Sequence, residues 1–207
     1  DKNQCHHGNE AGHDRSNGRI FKLVYGDANV TKIDLQKESD AKLVEYLGHK
    51  NEFYARHARR ILQERAANGG VKEETFTALK SLLRNSTSDV HQLRALWALH
   101  VTGGLDEKTG MGLLDSSHEY VRAWTIQLLA ENRNVGEVAL KKWATMAAND
   151  PSPVVRLYLA SAMQRVAPEK RWEVVTALLN HGDDAQDHNL PYLYWYAAEG
   201  AIAADPQ

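Results

Sequence analysis

Four times along the chain an arginine falls early in an apolar stretch, with small residues beside it. The phrases are Tyr54-Ala-Arg56-His-Ala58, Leu93-Arg94-Ala-Leu96, Val121-Arg122-Ala-Trp124 and Val155-Arg156-Leu-Tyr158. The arginines at 56, 94, 122 and 156 lie 38, 28 and 34 residues apart. Self-similarity at such a period means stacked helix pairs, because one pair cannot bury its apolar face alone. The phrase is fullest at Asp150-Pro-Ser-Pro-Val-Val-Arg156. There Pro153 suits the first turn of a helix, where its missing N–H costs nothing, and Ser152 can cap the free amides.

The predicted helices pair as 40–48 with 51–67, 73–84 with 90–101, 106–115 with 118–132, 136–148 with 153–166, and 170–180 with 190–203. Gly69-Gly70, Gly103-Gly104 and Pro168 fall in the connections, where helices stop. Leu93, Leu96, Trp97 and Val101 keep one face of their helix, as do Val121, Trp124, Leu128 and Leu129. The fifth pair departs from the pattern. Tyr194 stands where its arginine would be, 38 residues after Arg156, as an atypical terminal repeat that caps a stack would allow. The fold expected is an all-α, right-handed α-solenoid of about five helix pairs.

Ahead of the helices the chain changes character. Residues 1–18 are polar, and Cys5, His6, His7 and His13 stand among glycines. After the turn signal Asn17-Gly18 comes Arg19-Ile-Phe-Lys-Leu-Val-Tyr25, rich in β-formers and read as one strand. No second such run exists to pair with it, so it lies on the helical body or belongs to a sheet in a neighbouring domain. Residues 26–38 read as a linker. The division expected is an N-terminal extension over 1–38 and a helical repeat domain over 39–207.

Composition narrows the function classes. A net charge of −2 gives no global positive field to draw the chain to nucleic acid or an anionic membrane. No apolar run approaches the ~18 residues of a membrane span. The opening Asp-Lys-Asn-Gln has neither Met nor a signal-peptide pattern, and reads as a fragment or a processed form. Cys5 is the single cysteine, so no intrachain disulfide framework is possible and redox compartment cannot be read. No Gly-x-Ser-x-Gly, phosphate loop or dinucleotide fingerprint occurs, and an enzyme is not expected of this chain.

Candidate sites remain, each with a plainer structural account. The repeat arginines could line a basic groove for phosphate or nucleic acid, but regular spacing favours bidentate pairing of each guanidinium with a turn carboxylate. Arg56, His57, Arg59, Arg60 and Arg65 make one locally basic stretch, tempered by Glu52 and Glu64, and read as a solvated helix face. Cys5, His6, His7 and His13 have metal-ligand chemistry, yet their spacing matches no standard zinc pattern. Asp183, Asp184, Asp187, His188 and Asn189 crowd oxygen ligands without the calcium-loop alternation, and capping by Asp187 or Asn189 is preferred. Tyr192 and Trp195, with Glu199, form one stripe of the last helix, and Leu193, Tyr196, Ala197 and Gly200 the neighbouring one. Only one stripe can pack on the preceding pair, so Tyr192 or Trp195 is expected to border an exposed apolar patch where another domain or a second copy docks; the plainer account is that both rings turn inward and the helix is an ordinary cap.

The phrase Asp150-Pro-Ser-Pro-Val-Val-Arg156 resembles HEAT-type repeats. That resemblance implies turn aspartates and early arginines interacting along the stack, here Asp89, Asp115 and Asp150 with Arg94, Arg122 and Arg156. Asp14-Arg-Ser-Asn-Gly-Arg-Ile-Phe-Lys-Leu-Val-Tyr25, His49-Lys-Asn-Glu-Phe-Tyr-Ala-Arg-His-Ala-Arg-Arg60 and Asp187-His-Asn-Leu-Pro-Tyr-Leu-Tyr-Trp-Tyr196 resemble large bacterial proteins described as membrane-bound dehydrogenases. Proteins of that kind carry a β-propeller, HEAT-like repeats and often a c-type cytochrome domain. The resemblance implies a last propeller strand at 14–25, a helical middle domain over 40–207 and an extracytoplasmic setting. It further implies partners that are the propeller and cytochrome domains of the same polypeptide, or another protein. Chemistry, with haem or metal, would belong to the full-length oxidoreductase rather than to this chain. Lys2-Asn-Gln-Cys5-His6 lacks the first cysteine that covalent haem attachment needs. The reading is a non-catalytic interaction and spacer domain. The alternatives are a metal- or haem-associated redox module built on the Cys/His segment, or a phosphate- or nucleic-acid-binding HEAT-like domain.

Overall fold

The structure, a computed structural model, describes residues 20, 21, 23–26 and 32–204. The chain divides into two units, 1–33 and 34–207. In the first, Ile20, Phe21, Leu23 and Tyr25 are exposed, and the strand expected over 19–25 has no counterpart among the described residues. A strand without a neighbour leaves its N–H and C=O groups unpaired.

The second unit is all-helical. Its ten α-helices among the described residues are α1 (Asp40–Tyr46), α2 (Glu52–Ala67), α3 (Glu73–Asn85), α4 (Asp89–Val101), α5 (Glu107–Leu113), α6 (Glu119–Leu129), α7 (Glu137–Asn149), α8 (Pro153–Met163), α9 (Trp172–Leu179) and α10 (Leu190–Ala204). Short 3-10 turns occur at Leu35–Lys37, Pro168–Lys170 and Gly182–Gln186. The caps are local chemistry. Ser39, Asn51, Ser88, Asp106 and Ser152 each accept an amide of the first turn of α1, α2, α4, α5 and α8, and Pro153 opens α8. Gly103 ends α4 at φ +77°, a conformation that favours glycine, and the Gly104 N–H returns to Leu99 O at 2.8 Å. Gly104 has a further reason to be glycine, since a Cβ there would overlap the Phe76 ring.

The even-numbered helices touch in series, α2 on α4, α4 on α6, α6 on α8 and α8 on α10. Each also packs on the odd-numbered helix before it. Among the odd-numbered helices α1 meets α3 and α7 meets α9. This is a solenoid-like order.

The core divides in two. Leu43, Leu62, Leu79, Leu96 and Leu99 belong to an N-terminal cluster, and Ile126, Trp143, Leu159, Met163 and Leu178 to a C-terminal one. The division falls at α5 and α6, where Leu113 packs on the first cluster and Leu114 lies within the second. Helix α5 has only seven residues, Gly110 and Gly112 among them, and so offers little side-chain area to bridge the halves.

The linker expected over 26–38 is shorter at its far end. Leu35 is buried in the N-terminal cluster. Arg65 donates to Gln36 O at 2.9 Å and Glu38 O at 2.8 Å while pairing with Asp40, so the guanidinium holds this segment to α2.

Candidate functional site

Two of the repeat arginines form a ladder. Arg122 sets Nε and Nη2 on the Asp150 carboxylate at 2.7 and 2.8 Å, and its Nη1 donates to Ser116 O. Arg156 does the same to Asp184 at 2.7 and 2.6 Å, with Nη1 on Asp150 O. In each case the carboxylate lies 28 residues beyond the arginine. Tyr194, at the fifth repeat position, donates its hydroxyl to Asp184 Oδ2 at 2.5 Å. The Arg156 hydrogen bonds, aided by Tyr194, hold the Asp184 carboxyl below the usual aspartate range. Burial first, and the Asp184 carboxylate second, push the Tyr194 hydroxyl well above the usual tyrosine value.

The N-terminal arginines behave differently. Arg94 gives Nη1 to Leu47 O and His49 O at 2.8 and 3.0 Å and turns Nη2 back to Glu52. Twenty-eight residues beyond Arg94 stands Arg122, so no carboxylate waits there. Arg56 is exposed and faces Glu52 at 3.5 Å on its own helix. Asp89 accepts the neighbouring Val90 N–H, and Asp115 pairs with Lys142. Neither Asp89 nor Asp115 meets a repeat arginine, because the ladder runs forward to the following carboxylate rather than staying within one turn. Asp184, considered first as part of an acidic loop, is the ladder's last carboxylate. The 28-residue offset of Asp150 from Arg122 was the signal that could have found it.

The remaining candidates separate. Cys5, His6, His7 and His13 lie outside the described residues. Among the described residues no three His, Cys, Asp or Glu side chains converge as metal ligands. Asp187 caps α10, accepting the Asn189 and Leu190 amides at 2.8 and 2.9 Å, and these bonds lower its carboxyl pKa. In the basic stretch Arg60 faces Glu64, and Arg59 lies over the Trp97 ring at 5.3 Å.

Two surfaces bearing exposed aromatic rings lie among the described residues. One is a groove of about 570 Å³ over α2, α4 and α6, lined by Arg59, Gln63, Trp97, Trp124 and Gln127. Trp97 meets Trp124 edge to face at 5.1 Å, and Trp124 meets Tyr158 at 6.0 Å. Both tryptophans are partly exposed rather than sealed between repeats. His100 Nε2 and Glu131 join across one end at 2.6 Å.

The other surface is the outer face of α10. Leu190, Tyr194, Ala197, Ala198 and Ala201 are buried against the body, while Tyr192 is 66%, Trp195 56% and Tyr196 50% exposed. The helix is therefore apolar on both sides, with three of its four aromatic rings outward. No helix among the described residues is long and apolar enough to cross a membrane. No protein-family model matches the chain, and no curated protein is significantly similar to it.

Proposed function

We propose that the chain is a non-catalytic interaction and spacer domain, a right-handed HEAT-like solenoid of about five helix pairs that docks a protein on its last helix. The observation that carries this reading is the exposed row Tyr192, Trp195 and Tyr196 on α10. Aromatic rings bury much area with few rotors and are favoured binding anchors, and contiguous apolar surface of this kind is unusual on an isolated domain. In the dehydrogenase-like setting the sequence resembles, the helical body would hold a β-propeller and an electron-accepting cytochrome domain at fixed separation, outside the cytoplasm. The nucleic-acid reading is less well supported, since Arg122 and Arg156 are spent on carboxylates and turned inward.

Hydroxyl-radical footprinting tests the proposal. Tyr192 and Trp195 should be protected in a native extract of the source cells and reactive in the purified 207-residue chain. Equal reactivity in both would overturn it.

A further inference from the structure

The outer layer of odd-numbered helices is interrupted at α5. Helix α1 meets α3 and α7 meets α9, but among the described residues α5 packs on α6 without comparable packing on α3 or α7. Its apolar side chains are Met111, which packs on the C-terminal core, and Leu113, which packs on the N-terminal one. Beside it a notch of about 290 Å³ opens between Leu105 and Glu107 on one side and Val135 and Gly136 on the other, over Leu128 and Leu129. What ties α5 to its outer neighbours is charge. Lys80 of α3 reaches Asp106, the N-cap of α5, at 2.9 Å, and Lys142 of α7 reaches Asp115 just beyond the helix end. The two carboxylates are 52% and 68% exposed, so both pairs are weak and screened by salt. The inner layer is continuous at the same place. Helices α4 and α6 touch, and Trp97 meets Trp124 edge to face at 5.1 Å. Beyond the gap, α6 is tied to the end of α7 by the buried pair of Arg122 and Asp150, where salt has little access.

We propose that the helical body bends at α5, pivoting on the Trp97–Trp124 contact, and that the Lys80–Asp106 and Lys142–Asp115 pairs form a latch that ionic strength releases. Each half moves as a body because each has its own close-packed core, which transmits a shift rather than absorbing it. Opening the outer layer at α5 stretches two exposed ion pairs and parts Met111 or Leu113 from one core. Bending between α6 and α8 must instead separate packed helices and break a buried bidentate pair, which costs far more. The joint therefore lies where the outer layer is held by charge alone. The inference goes beyond the spacer reading and is independent of what docks on α10: the separation that a spacer holds is fixed here only while the latch is closed.

The test uses the 207-residue chain with Cys5→Ser, so that spin labels attach only at introduced cysteines. Thr77→Cys on α3 and Thr176→Cys on α9 place labels at exposed positions of the outer layer on either side of α5. Lys141→Cys on α7 with Thr176→Cys gives a control pair within the C-terminal half. Dipolar electron-paramagnetic-resonance distances are read at about 0.01 M and about 1 M salt, between which the screening length falls from about 30 Å to about 3 Å. Added salt should widen the Thr77/Thr176 distribution at least about twofold and leave the Lys141/Thr176 distribution unchanged. Lys80→Gln combined with Lys142→Gln changes two surface side chains and should give the wide distribution at both salt concentrations. A Thr77/Thr176 distribution of equal width at both concentrations in the chain with its lysines intact would overturn the proposal. Equal widening of the control pair would overturn it too, since the whole body would then be loosening. A salt response that survives Lys80→Gln with Lys142→Gln would show that these pairs are not the latch, and the proposal would fall.

Discussion

The N-terminal and C-terminal halves of the helical body hold the same residue type at corresponding places and use it differently. In the C-terminal half Arg122 and Arg156 reach forward to Asp150 and Asp184, and each guanidinium engages all three of its nitrogens. In the N-terminal half Arg94 reaches backward to two carbonyls, and its carboxylate partner Glu52 is half exposed. The side chains of Arg156 and Asp184 are 9% and 6% exposed, against 8% and 53% for Arg94 and Glu52. A buried bidentate pair fixes one geometry, because either partner alone would be an uncompensated charge. A pair with one end in water is screened and replaceable. The lesson is that an arginine at a repeat position does not define a ladder. The carboxylate at the right offset does, and the N-terminal half lacks it.

The largest effect should distinguish the two cores. Trp143 is fully buried in the C-terminal cluster, whereas Trp97 is partly exposed in the groove. Trp143→Ala should lower the free energy of unfolding by about 3–5 kcal/mol, and Trp97→Ala by roughly half as much, since less area leaves water there. Both indole N–H groups are buried without an acceptor among the described residues. Trp143→Phe, which removes that orphan donor, should therefore cost far less than Trp143→Ala. Urea denaturation measures all three. Equal losses at Trp143 and Trp97 would mean that the groove is closed in solution and the contrast between cores is wrong.

A somewhat smaller effect bears on the ladder directly. Asp184→Ala leaves the Arg156 guanidinium buried without its partner, and should cost about 3 kcal/mol. Glu52→Ala removes an exposed carboxylate while Arg94 keeps Leu47 O and His49 O, and should cost less than about 1 kcal/mol. Melting curves of the two variants at neutral pH would show it. A Glu52→Ala loss as large as that of Asp184→Ala would erase the distinction between the halves.

The helices were legible in the sequence, and the reasons are local. Ser39, Ser88 and Ser152 are capping residues ahead of periodic apolar runs, and Gly69 and Gly103 stop helices in a conformation that few other residues adopt. Tyr192 and Trp195 could be singled out because a helix apolar on two stripes cannot bury both in one contact. The ladder's true partners were not legible from the arginine spacing alone, since a carboxylate's partner depends on how repeats stack. Asp89 and Asp115 had the right type in the right kind of turn, yet they serve as a local amide acceptor and a lysine partner. Arg171 carried no signal at all. It lies outside the repeat phrase, and its contact with Gly200 exists only through the packing of α10.

The smallest effect concerns the fifth repeat position, where tyrosine replaces arginine. Tyr194→Phe keeps the buried ring and removes one hydrogen bond to Asp184, at a cost of about 1 kcal/mol at neutral pH. The sign of its pH dependence follows from the two shifts. The Tyr194 value is raised, so its contribution is present below the tyrosine value of about 10 in the unfolded chain and is lost as pH rises toward the folded value. The Asp184 value is lowered, so its contribution is present above about pH 4 and is lost in acid. Phenylalanine cannot ionise. The stability gap between wild type and Tyr194→Phe should hold steady from pH 6 to 9 and then close within about one pH unit above 10, because one unit of titration is worth about 1.4 kcal/mol. Urea midpoints at pH 7, 9 and 11 would follow the gap. A gap unchanged at pH 11 would mean that the hydroxyl is not held by Asp184, and that the ladder ends at Arg156.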